Sequence, residues 1–136
     1  MKPKFMRPLV LAALIGLTLA TVVSAQKAEP RRIQFAKGKN SKTVTGVLSN
    51  NQEYDFVVGA SEGQLLEVWI SSRPKGKFHS FSILGIDGID FATDYDVNYS
   101  VKRRLPKTGD YLITVVKRPT RRVKTARFYL TVRIRN

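Results

Sequence analysis

From residue 126 to 135 the chain alternates without a break: Phe128, Leu130, Val132 and Ile134 are apolar, whereas Arg127, Tyr129, Thr131, Arg133 and Arg135 are polar or amphipathic. A period of two places the first set on one face of a strand and the second on the other. One face is therefore a core face, and the opposite face is a basic stripe with an aromatic in it. The same period recurs upstream. Tyr111, Ile113 and Val115 alternate with Leu112, Thr114 and Val116, directly after Leu105-Pro-Lys-Thr-Gly-Asp. Pro106 cannot donate to a ladder and Gly109 permits positive φ, so this segment predicts a tight turn feeding a strand buried on at least one face. The closing strand at 126–135 reads as its hairpin partner, joined through residues 119–122.

Further strands follow from the same reasoning. Residues 43–48 form a β-rich run ended by Ser49-Asn50-Asn51, and Tyr54, Phe56 and Val58 share the next inward parity. Within 64–72, Leu66, Val68 and Ile70 are purely aliphatic and should face the core, which leaves Leu65, Glu67 and Trp69 on the more polar side. Phe81 and Ile83 point inward from a strand over 78–86, followed by strands at 91–96 and near 99–105. Between them lie turn signals at 59–63, 73–77 and Asp87-Gly88. The predicted core is Leu66, Val68, Ile70, Tyr111, Ile113, Val115, Phe128, Leu130 and Val132. No helical period appears after residue 25. Eight or nine short strands with turns about every 8–12 residues indicate an all-β antiparallel sandwich or barrel.

The first 25 residues are of another kind. Lys2, Lys4 and Arg7 precede an apolar run over 9–23, and Val23-Ser24-Ala25 offers the short side chains a signal peptidase reads. The run is shorter than the roughly 20 residues that span a bilayer, so residues 1–25 are read as a signal peptide removed after Ala25, with no membrane span left behind. No cysteine follows it, or occurs anywhere, which excludes a lipoprotein anchor. A small exported chain without disulfides suits a bacterial periplasm or secretion from such a cell. Removing 25 of the 136 residues leaves 111, one sandwich domain's worth. Residues 26–40, with Lys27, Arg31, Arg32, Lys37 and Lys39, read as a flexible basic leader with at best a short strand at 33–36, and residues 41–136 as the domain.

Charge sharpens the picture. The formal net charge is +14, and from Lys102 onward twelve Lys and Arg stand against one acid, Asp110. Such a field either keeps the surface solvated or attracts anionic partners: lipopolysaccharide, acidic glycans or an acidic protein. Arg118, Arg121, Arg122 and Lys124 crowd one connection, and Lys102, Arg103 and Arg104 form a second run. Export argues against genomic nucleic acid, and no nucleic-acid-binding motif is present. Trp69 is the remaining candidate contact. It is either an exposed anchor or, as the usual burial of tryptophan favours, covered by a second sheet, the leader or a loop.

Catalytic chemistry finds little to build on. The single histidine, His79, sits two residues before Phe81 and reads as a hydrogen-bonded strand-end side chain near the rim rather than a general base. No Gly-x-Ser-x-Gly elbow or Gly-rich phosphate loop occurs. Asp87, Asp90, Asp94 and Asp96 lie within ten residues. They are open to four readings: paired carboxylates for hydrolysis, turn formers, partners of Arg103 or Arg104, or oxygen ligands for calcium in a spacing that matches no EF-hand loop. No cofactor or metal site is assigned.

Four motifs in order, Tyr54-x-Phe-x-Val, Gly63-Gln64-x-Leu-x-Val-x-Ile, Leu105-Pro-x-x-Gly-Asp-Tyr-x-Ile-x-Val and Phe128-x-Leu-x-Val-x-Ile, resemble the bacterial pre-peptidase C-terminal-like jelly-roll domains. Within that group the chain is most similar to the exported inhibitors of g-type lysozyme, over roughly residues 33–136. The resemblance implies a jelly-roll sandwich and a non-catalytic protein that binds lysozyme or another envelope protein. Inhibition would work by inserting loop side chains into the enzyme cleft, with calcium as a property of some relatives. Combined with the charge pattern, it nominates Arg118, Arg121, Arg122, Lys124, Arg103, Arg104 and Trp69 as partner-binding residues.

Overall fold

A computed structural model describes residues 28–136 except 86–89 and 97–99, and the backbone alone for 90–96. The described chain forms nine strands: β1 (Arg31–Arg32), β2 (Ser41–Ser49), β3 (Glu53–Ala60), β4 (Leu65–Arg73), β5 (His79–Leu84), β6 (Asp90–Asp96), β7 (Ser100–Arg104), β8 (Gly109–Lys117) and β9 (Thr125–Arg135). Sheet I has the order β1-β3-β8-β5-β6 and sheet II the order β2-β9-β4-β7. All ladders are antiparallel except the short β1–β3 pairing.

The order has a simple origin. β5 pairs with β6, β4 with β7, β3 with β8 and β2 with β9, so the chain is one long nested hairpin. Rolling it drops successive pairs into alternate sheets, which is the jelly-roll sandwich. It also corrects one expectation. The strand at 126–135 is not the hairpin partner of the strand at 109–117. β8 and β9 follow one another on the same arm of the long hairpin, so the roll sends them to opposite sheets, and residues 118–124 cross between the sheets.

Alternation does the rest. The nine predicted core residues are all buried, none more than 2% exposed, and they come from the facing sides of both sheets. Phe56, Tyr54 and His79 pack around Phe128 with ring centroids 5.6–6.2 Å away. Gly46 is needed there, because a Cβ would sit 2.8 Å from the Phe128 ring. The leader is partly ordered: β1 lies two residues before the expected 33–36 strand, Ile33 donates its amide to Val57, and its side chain joins the core. Arg32 fastens this edge through a two-pronged bond to Asp110, at 2.9 and 2.7 Å.

Candidate functional site

The inward parity of β8 runs Tyr111, Ile113, Val115 and then Lys117, so a lysine stands where the core pattern calls for an apolar residue. Lys117 is fully buried. Its ammonium donates to Asn50 Oδ1 at 2.8 Å, to the Arg118 carbonyl, and more weakly toward Thr120 Oγ1 at 3.4 Å. It also lies 5.4 Å from the centre of the Phe78 ring. Burial pushes its pKa below the ordinary lysine value, and the oxygen partners and the ring are what make a buried cation tolerable there.

These bonds lace the crossover. Asn50 donates through Nδ2 to the Thr120 carbonyl at 2.9 Å and accepts the Thr120 amide at 3.1 Å. The Thr120 hydroxyl donates to the Val123 carbonyl. The Asn50 amide donates to Lys124, the Asn51 amide to Lys117, and the Arg118 amide to Phe78. The backbone of 118–124 is thus tied to the β2–β3 turn and to the residue before β5. From this frame Arg121, Arg122 and Lys124 project exposed, with Arg118 half-buried. A fixed loop carrying cations loses little conformational freedom on binding, which is the property a recognition loop needs.

The other nominated residues lie elsewhere. Arg104 stands opposite Leu65, at the end of sheet II farthest from Arg73 and Arg127, beside which the crossover enters β9. The eight residue steps between those ends span about 27 Å. Arg103 and Arg104 are exposed, and Arg104 donates to the Gly63 carbonyl at 2.9 Å. Trp69 sits mid-strand on the outer face of sheet II, half-buried. Among the described residues, the Arg133 guanidinium lies over it, 5.3 Å from the centre of its ring. The structure therefore separates the nominated residues into a loop, a sheet end and a mid-face aromatic. The calcium reading falls on Asp87, Asp90, Asp94 and Asp96, whose side chains lie outside the described residues; among the described residues no metal-holding cluster occurs.

Three contributors escaped the sequence reading. Lys117 was marked only by its parity, Asn50 looked like ordinary turn chemistry, and Glu67 gave no sign of its setting. Glu67 is buried under Lys102, Arg133 and Arg135, with Arg133 at 3.5 Å and Lys102 at 4.0 Å. His79 is also deeper than expected, fully buried between the sheets rather than at a rim. Its Nδ1 lies 2.7 Å from Ser72 Oγ. Burial above all lowers its pKa to about 4, against a hydrogen bond with the Ala126 backbone that raises it, and the nearby Lys117 charge adds to the lowering. A serine–histidine pair sealed in the core is closed to a substrate. Among the described residues a cavity of about 300 Å³ opens beside β1, lined by Glu29, Arg31, Glu53, Tyr54 and Asp55. No helix of the described residues is long and apolar enough to cross a membrane.

This rolled sandwich has solved counterparts. The periplasmic inhibitor of g-type lysozyme from Aeromonas hydrophila superposes with a TM-score of 0.62 at 22% identity, over 78% of this chain and 96% of that one. Its Salmonella Typhimurium counterpart does so with a TM-score of 0.59 at 24% identity, over 80% and 100%. The chain has the fold of the periplasmic g-type lysozyme inhibitors. The same fold also matches a Yersinia pseudotuberculosis-derived mitogen, with a TM-score of 0.58 at 15% identity over 71% and 87%. An inhibitor and a mitogen on one framework place the difference in loops and surfaces rather than in the sandwich. No family model and no curated protein matches the chain.

Proposed function

We propose that this is an exported, non-catalytic binding protein that inhibits a g-type lysozyme by inserting the 118–124 crossover into the enzyme's cleft. The observation that carries the reading is the lacing of that loop by Lys117, Asn50 and Thr120. It holds Arg121, Arg122 and Lys124 outward on a backbone that need not be ordered on contact. Likeness of fold to periplasmic g-type inhibitors supports the choice of partner. Glycan-cleaving clefts work with carboxylates, and guanidinium groups are the side chains best shaped to meet them. Arg121 and Arg122 are the contact groups, Arg118 supports the loop's base, and Lys117 with Asn50 positions all of them.

The test is lysis of cell-wall suspensions by g-, c- and i-type lysozymes at increasing protein concentration. Inhibition of the g-type enzyme is expected. Replacing Arg118, Arg121 and Arg122 by Gln should weaken it more than tenfold, or about 1.4 kcal/mol, while the melting curve stays in place. A triple variant that inhibits like the parent would remove the loop from the mechanism, and no inhibition of any lysozyme would remove the function.

A further inference from the structure

The outer face of sheet II has an organisation separate from the loop. At one end Lys102, Arg133 and Arg135 surround the single buried carboxylate of Glu67. Three cations on one acid leave a local excess of two positive charges, held in place by a residue only 8% exposed at its side chain. Arg133 also lies over the Trp69 ring, 5.3 Å from its centre, in a cation–π contact. At the other end Arg73 lies 6.0 Å from the centre of the Tyr129 ring, opposite Arg127 in register. Between the two ends runs a neutral band of hydroxyls, with Thr43 and Thr131 bonded across the strands at 2.9 Å.

We infer that this face binds an anionic glycan chain, independently of the 118–124 loop. Six residue steps separate Arg133 from Arg127, about 20 Å along the strand. Two cationic clusters that far apart suit an extended polymer with acidic groups at intervals better than one small anion. The hydroxyl band between them can exchange hydrogen bonds with sugar hydroxyls. The Arg133 and Arg73 guanidiniums lie over the aromatic faces on which the bases of a single-stranded nucleic acid would pack, so the rings position arginine rather than bind ligand. Planar, oriented guanidinium forks then donate hydrogen bonds to carboxylate or phosphate oxygens.

The experiment measures binding of the protein at low salt to polygalacturonate, to a phosphorylated mannan, to neutral dextran, to duplex DNA and to vesicles containing an anionic lipid. Binding to one or both anionic glycans and none to dextran is expected, and the two acidic polymers decide between carboxylate and phosphate. Lys102→Gln with Arg133→Gln and Arg135→Gln should weaken it at least tenfold. Trp69→Ala should weaken it severalfold, and Trp69→Phe should restore most of the loss, as expected of a positioning residue. Because that triple variant strands Glu67, Lys102→Gln with Arg73→Gln serves as a second variant that keeps Glu67 paired, with about a threefold loss expected. Neutralising Arg118, Arg121 and Arg122 should weaken lysozyme inhibition more than tenfold and leave glycan binding within twofold, so each function can fail without the other. The inference is overturned if neither acidic glycan binds, if DNA or vesicles bind more tightly than both glycans, if the folded second variant binds like the parent, or if the loop variant loses glycan binding as severely.

Discussion

The strands of sheet II carry eight Lys and Arg and one acid, whereas those of sheet I carry three Lys and Arg and six acids. The two layers of one sandwich thus bear formal charges of +7 and −3. Overall charge, +14 across the sequence, describes neither. The separation rests on the roll: apart from β5 and β6, which pair at its centre, strands adjacent in sequence fall in opposite layers, so charges that are close along the chain are sorted in space. The lesson is that a formal charge summed along a chain says little about how that charge is divided between the layers of its sandwich.

The comparison breaks most readily in the core, which the layers share. Leu130→Ala from sheet II and Val115→Ala from sheet I should each cost about 2–4 kcal/mol by lost burial plus cavity, measured by denaturant midpoints. A loss confined to one of them would mean the layers are not packed on a common core. Next comes the buried histidine at their junction. The His79 pKa is depressed to about 4 from 6.5, so the unfolded chain binds more protons between those values. Stability should therefore be full above about pH 6.5 and fall by about 3 kcal/mol as pH drops toward 4. His79→Phe should flatten that part of the profile if the variant folds; an unchanged slope would assign it to other groups.

Lys117→Met sharpens the contrast between layer and crossover. It removes the ammonium donor from the Arg118 carbonyl and from Asn50 Oδ1, which keeps only the Thr120 amide, and should cost about 1–3 kcal/mol. Hydrogen exchange should quicken at Arg118 and Thr120 and stay unchanged in β4. Equal quickening in both would make the crossover part of the general framework. The smallest effect belongs to the exposed Arg32–Asp110 pair, whose side chains are about half exposed. The hydrogen bond from Arg32 holds the Asp110 carboxyl below the usual carboxylate range. Its contribution is present above the ordinary aspartate pKa and disappears as pH falls through the depressed one. Asp110→Asn should shift the melting point less than any change above and leave β2–β9 pairing untouched by NMR.

Much of this was legible in the residues. Every aliphatic parity set from Leu66 to Val132 lies where alternation puts it, because a period of two fixes faces whatever the topology. Pairing was not legible in the same way. Nothing local to 117–126 says whether the chain turns back or crosses over, and nearest-neighbour pairing led to the wrong partner for β9. Of the candidate contacts, the cluster at 118–124 was visible as charge, but its rigidity depends on Asn50, about 70 residues away. Trp69 was visible as an outward aromatic, but not the arginine laid upon it, since that contact requires β9 to lie beside β4.

β9 is flanked on one side by β2 and on the other by β4. The last of the nine described strands thus occupies an interior position of its sheet, and Ser41–Ser49 has no ladder until residues 125–135 exist. Sheet II cannot close piecemeal during synthesis. A chain of this topology leaves its most distant ladders unmade until residues 125–135 are available, then closes them in one slow, long-range step.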